Sequence, residues 1–194
     1  MRPVVPDDVV RALVDVPLKE LSVLKLSANL QENVLSHLLA TYAHSMNTMH
    51  LCRAIGGTIL VLPKSAIRCL RLSECRMDDL TCASLLSACT LLEDFEFSGC
   101  GEQRPILFVI LQACSKLCLK SMSFLRVFLW RHPPVLGELQ EMGALLRFRH
   151  DAEKVIASSP NLAHFSVFHA VGLRMWRATW IKNDGWVQFG RGRR

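Results

Sequence analysis

The middle of the chain repeats itself. Residues 67–75 and 92–100 carry apolar residues or cysteine at the same positions, and residues 86–89 match residues 111–114 in the same way. A fixed period of about 25 residues indicates a small unit that cannot bury its apolar side alone and is stacked on copies of itself. The repeat therefore predicts a continuous core shared by stacked units, with function carried by their surfaces.

Each unit combines a strand pattern with a helix pattern. Apolar residues occupy alternate positions around Leu70 and Leu72 in the segment that ends at Cys75. This alternation is typical of a short half-buried strand. Asp78 and Asp79 follow, and aspartate favours the start of a helix. The unit is therefore predicted to run strand, loop, helix. The predicted helical face consists of residues spaced by three, namely Leu80, Ala83, Leu86 and Cys89.

The two central units follow the pattern L-x-x-L-x-L-x-x-C, which ends on Cys75 in one unit and on Cys100 in the next. This pattern resembles the cysteine-containing form of the leucine-rich repeat family, which places Asn or Cys at that position. The resemblance implies an α/β solenoid of strand-loop-helix units, each about 25 residues long. It also implies a curved parallel sheet whose strands line the concave face.

The same pattern extends in both directions from the centre. Upstream it fits 21–29 and 46–51, so that successive units start at positions 21, 46, 67 and 92, and the segment 33–44 carries one apolar stripe of a helix. Downstream, Leu117 keeps the period but Lys120 stands where leucine is expected. We expect four good repeats and up to three degraded ones. The degraded matches are a thin one at Met142 and Leu145 and a recovered one at Leu162, Phe165 and Val167.

Length and composition fit one domain, since 194 residues with 51% hydrophobic and 21% charged side chains can bury a sizeable core. We divide the chain into an N-terminal helix at 1–17, leucine-rich repeats at 18–118, degraded repeats at 119–170 and a basic, Trp-rich tail at 171–194. A solenoid needs polar caps at its ends, so this apolar chain is also compatible with a fragment of a longer array.

Among the eight cysteines, Cys75 with Cys100 and Cys89 with Cys114 share a repeat phase, and these two pairs are interpreted as core residues because a buried free cysteine packs as a small hydrophobe. A structural disulfide and a zinc site are the alternatives, but no paired CxxC motif is present. We therefore expect no metal and no cofactor. The zinc alternative would use Cys69, Cys75, Cys114 and Cys118.

The sequence predicts a protein of the cytoplasm or nucleus that makes no contact with membranes. The segment 1–15 includes three aspartates and no continuous apolar stretch, so no secretory signal is recognised. The apolar segment 106–113 is far shorter than the roughly 20 residues that span a bilayer. The cysteines then fit a reducing compartment.

Positive charge is concentrated in the tail, where the segment 171–194 holds six basic residues and one acidic residue and so accounts for five of the six net charges. The tail aromatic residues could stack on single-stranded bases. The nearly neutral body is not the electrostatic footprint of a nucleic-acid-binding protein. The composition also fits a degenerate capping segment, a disordered end or an imperfect gene model. The tail aromatic residues that could stack on bases are Trp176, Trp180, Trp186 and Phe189.

A second resemblance covers residues 5–27, which look like the opening of an F-box, with a step into Pro6, an acidic pair, a second proline and spaced leucines. The first residue is Val5 rather than leucine, and the usual closing basic and aromatic residues are missing after Ser27. The resemblance implies the substrate-recognition part of a ubiquitin ligase, with an adaptor bound at Pro6, Val9, Leu13, Pro17 and Leu21. The alternatives are a capping helix before the first repeat and a free-standing repeat scaffold.

Enzyme function is not predicted. No GxSxG, HExxH or P-loop motif occurs, and the seven histidines lie in no known nucleophile setting. His37 and His44 lack an acidic or cysteine partner, and Gly56-Gly57 is interpreted as a turn.

The repeat instead predicts a face that binds a protein partner, because side chains alternate between the two faces of a strand. We expect Arg71 to meet an acidic patch on that partner, and Asp94 and Glu96 to meet a basic one. The predicted concave-face residues are Lys25, His50, Arg71 and Glu96 in one column, Thr48 and Asp94 in a second, and Ser73 and Ser98 in a third.

Overall fold

The computed structural model describes residues 23–27, 40–52, 64–75, 78–98, 107–125, 138–171 and 174–191. Within these ranges, eight strands form one sheet in which the strand order follows the chain order. The strands are β1 (Val23–Ser27), β2 (Thr48–Cys52), β3 (Cys69–Ser73), β4 (Asp94–Ser98), β5 (Ser121–Leu125), β6 (His164–Val171), β7 (Arg174–Ile181) and β8 (Gly185–Arg191). The helices are α1 (Asp79–Ala88), α2 (Leu107–Cys114) and α3 (Glu138–Ser158).

The first six strands are parallel and the last two are antiparallel. From β3 onward, a helix follows each of three successive strands before the chain returns to the sheet. The protein is therefore an α/β protein with one mixed, mostly parallel sheet that alternates with helices.

The strand register matches the repeat. Leu70 and Leu72 of β3 are the register partners of Phe95 and Phe97, the corresponding residues of the next unit on β4. β1 pairs with β2, and β2 with β3, in the registers that align the unit starts at positions 21, 46 and 67. The strands predicted in these units are confirmed. The predicted alternation is confirmed too, because Leu70 and Leu72 are fully buried on either side of an exposed Arg71.

The core lies between the sheet and the helices. Strand residues of one face join apolar residues of α1, α2 and α3 in one continuous cluster. Large aromatic rings dominate its later part, where Phe124 lies 5.8 Å from Phe95 and 6.2 Å from Phe165 between ring centroids. Such tilted and edge-on contacts are favourable for aromatic rings.

Helix α1 begins as predicted, and Leu86 and Cys89 of its predicted face are buried, but the rest of the buried face differs. Asp78 is its N-cap, and its Oδ1 accepts a hydrogen bond of 2.7 Å from the backbone N–H of Thr81. The prediction that Leu80 lies on the buried face is wrong, because its side chain is 64% exposed. The buried residues follow the 3.6-residue helical period instead, at Cys82, Leu85, Leu86 and Cys89.

The degraded repeats differ from their predicted positions. Phe95 of β4 pairs with Met122 of β5, whereas the period of the central units predicts Lys120 as its partner. Lys120 consequently lies outside the strand. The prediction of a degraded repeat with a strand at Met142 and Leu145 is wrong, because both residues lie in helix α3. The match at Phe165 and Val167 is confirmed by β6 and by the full burial of both side chains.

The segment 174–191 forms an antiparallel hairpin that extends the sheet. Its turn holds Asn183 and Gly185 at φ of 79° and 71°, in the left-handed region that these two residue types tolerate. The Trp186 ring lies 6.0 Å from Phe165, and the Phe189 ring lies 6.2 Å from Phe148. The rings of Trp186 and Phe189 therefore pack against the core.

Several predictions fall outside the described residues. They include the N-terminal helix at 1–17, the F-box-like residues Pro6, Val9, Leu13, Pro17 and Leu21, and most of the helix at 33–44. Of that helix, residues 40–42 are described and are helical. None of the helices within the described ranges is long and apolar enough to cross a membrane.

Candidate protein-binding surface

The predicted columns of exposed residues are register neighbours in the sheet. Lys25 pairs with His50, His50 with Arg71, and Arg71 with Glu96, each on the adjacent parallel strand. The column continues to Ser123. We call the surface on this side of β2 to β5 the polar sheet face. It is formed by Thr48, His50, Cys69, Arg71, Asp94, Glu96, Ser121 and Ser123.

The polar sheet face exists because each strand buries only its alternate residues. In β2, Met49 and Leu51 are buried while Thr48 and His50 are half-buried, and β4 repeats this alternation. Parallel strands in register then align residues of one kind in a row. Ser73 and Ser98 are also register partners, and both are half-buried at the ends of β3 and β4.

An ion pair lies across this face. Arg71 Nε is 3.6 Å from Glu96 Oε2, and the two side chains are 53% and 35% exposed. Both residues line a groove of about 220 Å³. The groove contains two carboxylates, one guanidinium and two hydroxyl groups, so it carries a net negative charge. The other lining residues are Asp94, Phe95, Ser121 and Ser123.

Cys69 lies at the upstream side of the groove, with its Sγ 4.0 Å from Nε2 of His50. Burial raises the pKa of the Cys69 thiol, and the carboxylates of Asp94 and Glu96 raise it further against the lowering effect of Arg71. The thiol is therefore protonated at neutral pH. A neutral thiol is a weaker nucleophile than a thiolate.

A second charged cluster borders the polar sheet face where strands β3, β4 and β5 begin. Glu93 accepts hydrogen bonds from Arg68 and, at 2.7 Å, from Nζ of Lys120. The bond from Lys120 is the main reason that the pKa of Glu93 lies below its usual value. Each of the three residues immediately precedes a strand. The contact between Arg68 and Glu93 could have been predicted from the sequence, because these two residues occupy the same position in successive repeat units.

The interpretation as core residues holds for the described cysteines of the two phase-matched pairs, because Cys75, Cys89 and Cys114 are buried, whereas Cys52 and Cys69 are half-buried and Cys118 is exposed. None of the seven described cysteines forms a disulfide, and four of them are buried, at Cys75, Cys82, Cys89 and Cys114. Burial raises the pKa of Cys82 to about 12 and that of Cys89 to about 11. In the part of the chain that the structure describes, no three His, Cys, Asp or Glu side chains are grouped as metal ligands would be.

Comparison of the chain with models of protein families, with curated proteins and with solved structures gives no match. The class of the protein therefore rests on its own fold, which is that of an α/β protein with one mostly parallel sheet. Its candidate site rests on the polar sheet face.

Proposed function

We propose that this chain is a leucine-rich repeat solenoid that binds another protein through its polar sheet face. The observation that carries the proposal is the register of the sheet, which aligns His50, Arg71 and Glu96 on neighbouring strands beside a groove. A row of polar side chains at repeated spacing suits an extended partner surface better than a small molecule. Repeat proteins in general bind partners on such extended faces.

The charges of the face determine the partner that fits. Asp94 and Glu96 favour a basic patch on the partner, while Arg71 favours an acidic group next to it. Because Arg71 and Glu96 already contact each other, a partner has to provide both charges close together to replace that contact. Charge complementarity of this kind contributes more to specificity than to affinity.

The experiment is a pull-down from an extract of the source cells with quantitative mass spectrometry. The variant Arg71→Glu/Glu96→Arg keeps an internal ion pair but reverses the charges that a partner meets. The matched control is Arg149→Glu/Glu153→Arg, which reverses an exposed pair on α3 in the same way. We expect the first variant to lose partners that the wild type and the control retain. Identical partners for all three proteins, with unchanged circular dichroism, would refute the proposal.

The F-box-like stretch supports a second, more specific candidate, a substrate receptor of a ubiquitin ligase. Residues 23–27 of that stretch form β1 and pair with β2, so a helical adaptor-binding module has to end before Val23. The test is binding of the F-box adaptor subunit to the full chain and to a version lacking residues 1–17. Binding by the full chain alone would support the ligase role. Binding by neither, with both chains folded, would leave the repeat scaffold.

A further inference from the structure

A groove of about 440 Å³ lies on the helical side of the protein, away from the polar sheet face. Its walls come from α1, α2, the residues after α2, and α3. This volume falls in the range of small-molecule sites in proteins, roughly 300 to 1,000 Å³. The polar residues that line it are Ser87, Gln112, Ser115, Lys116, Asp151 and Lys154.

Asp151 is the unusual member of this set, because it occupies a position in the buried stripe of α3. Phe148, Ala152 and Val155 are fully buried, and Asp151 between them is only 5% exposed. Its Oδ1 lies 3.2 Å from Nζ of Lys154. Its Oδ2 has no hydrogen-bond partner among the described residues. A buried carboxylate oxygen without a hydrogen-bond partner lowers the stability of the fold. A donor supplied by a bound molecule would remove that cost.

The carbonyl groups at the nearby end of α2 already have hydrogen-bond donors, so they do not need a donor from a ligand. The last carbonyl groups of a helix have no partner within the helix. At the end of α2, the carbonyl groups of Leu111, Ala113 and Cys114 accept hydrogen bonds from the backbone N–H groups of the next turn. The carbonyl group of Gln112 accepts a hydrogen bond of 2.8 Å from Oγ of Ser115. Among the described lining residues, Asp151 Oδ2 therefore remains the buried side-chain acceptor that lacks a donor.

Charge and shape restrict the molecule that could supply that donor. Lys116 and Lys154 are exposed at the groove and outnumber the single carboxylate, so the groove favours an anion over a cation. Lys154 has two further N–H donors beyond its bond to Asp151. None of the described lining residues is aromatic, so the groove offers no platform for a stacked base.

We propose that this groove binds a small anion that also carries a hydroxyl group, such as a phosphorylated polyol. The hydroxyl group donates to Asp151 Oδ2, and the anionic group contacts the ammonium groups of Lys116 and Lys154. The side chain of Lys154 is 54% exposed, and its terminal Nζ contacts Asp151, so this side chain can move aside without breaking core packing. Its movement gives the ligand access to the carboxylate. This proposal is independent of the protein-binding role of the polar sheet face.

The test is calorimetric titration of the full chain with sn-glycerol 3-phosphate, with inorganic phosphate and with glycerol. We expect glycerol 3-phosphate to bind at least about tenfold more tightly than either fragment, because it makes both sets of contacts. Asp151→Asn and Lys116→Gln should each weaken that binding about tenfold or more. The matched controls are Glu153→Gln, an exposed carboxylate of the same helix, and Lys182→Gln on the hairpin.

The stability of the free protein separates a binding role from a purely structural one. If the groove binds a ligand, Asp151→Asn leaves the free chain folded and at least as stable as the wild type, while the ligand no longer raises its melting temperature. Equal binding of inorganic phosphate and glycerol 3-phosphate would refute the hydroxyl contact to Asp151. The absence of binding by all three probes, or loss of folding in Asp151→Asn with unchanged binding by Lys116→Gln, would overturn the proposal.

Discussion

Arg71 and Glu96 lie side by side on β3 and β4, with Nε 3.6 Å from Oε2. The parallel register brings them together, because each occupies the same position in its repeat unit. Their charges, which the sequence alone assigned to separate patches of a partner, therefore partly neutralise each other in the free protein. A partner of the polar sheet face has to compete with this contact or extend it.

The ion pair is expected to contribute little to stability. Both side chains are exposed to water, and exposed pairs of this kind contribute about 0.2 to 1 kcal/mol. A double-mutant cycle with Arg71→Ala and Glu96→Ala, followed by urea denaturation, should give a coupling energy in or below that range. A much larger coupling would mean that the pair is a structural element of the sheet, and its removal could then not be used to test binding alone.

Core truncation tests the alternation of the strands. Leu72→Ala should lower the free energy of unfolding by about 2 to 5 kcal/mol, because Leu72 is fully buried and truncation leaves a cavity. Arg71→Ala next to it should change that free energy by less than about 1 kcal/mol. Chemical denaturation of both variants gives the comparison. Equal losses at the two positions would contradict the observed register.

The sheet was predictable from the sequence where its period is carried by buried residues. Leu70, Leu72, Phe95 and Phe97 have to face the core, and shifting a strand by one residue would expose all of them. The columns of the polar sheet face follow from the same register. Their alignment could therefore be predicted without any knowledge of the side-chain contacts.

Other features were not predictable in this way. Leu117 and Leu119 are both buried ahead of β5, so the apolar pattern alone did not distinguish the predicted register of β5 from the observed one. The buried face of α1 was predicted correctly at Leu86 and Cys89 but wrongly at Leu80, because a spacing of three residues drifts around a helix of 3.6 residues per turn. Asp151 did give a signal, a charged residue inside the apolar stripe of α3, but its significance depends on how the three helices pack.

The cluster around Glu93 predicts a dependence of stability on pH. The pKa of Glu93 is lower in the folded chain than its usual value of 4.5, so its contribution to stability is complete above that value and is lost as the pH falls through the lowered pKa. Glu93→Gln should therefore be less stable than the wild type at neutral pH and approach it in strong acid. Denaturation measured from pH 7 to pH 2 tests this sign. Lys120→Gln should reduce the effect, because it removes the main cause of the shift.

The thiols should differ in reactivity according to their burial. Cys118 is exposed, whereas burial raises the pKa of Cys114, Cys82 and Cys89 well above the usual value of 9.0. Labelling of the native chain with iodoacetamide at neutral pH should modify Cys118 and spare these three, since the thiolate is the reactive form. Mass spectrometry of peptides identifies the modified sites. Rapid modification of Cys82 in the folded chain would contradict its position in the core.

Ser159 joins the end of α3 to the segment that leads into β5, and its loss should be more damaging than its size suggests. Its Oγ donates to the carbonyl of Leu117 at 2.8 Å and accepts from the backbone N–H of Leu119 at 3.1 Å. Because Ser159, Leu117 and Leu119 are all buried, water cannot replace the hydroxyl. Ser159→Ala should therefore lower the free energy of unfolding by about 1 to 3 kcal/mol for each group left without a partner.

The neighbouring Ser158 supplies the control for this prediction. Its Oγ donates to the carbonyl of Val155 within its own helix, at 2.9 Å, and the residue is half-buried. Ser158→Ala should consequently cost less than about 1 kcal/mol in the same denaturation experiment, since the hydroxyl gives up one local bond. Ser159→Ala should also speed amide exchange at Leu119, whose N–H loses its acceptor. Equal stability of the two variants with unchanged exchange at Leu119 would show that the hydroxyl of Ser159 does not hold the two segments together.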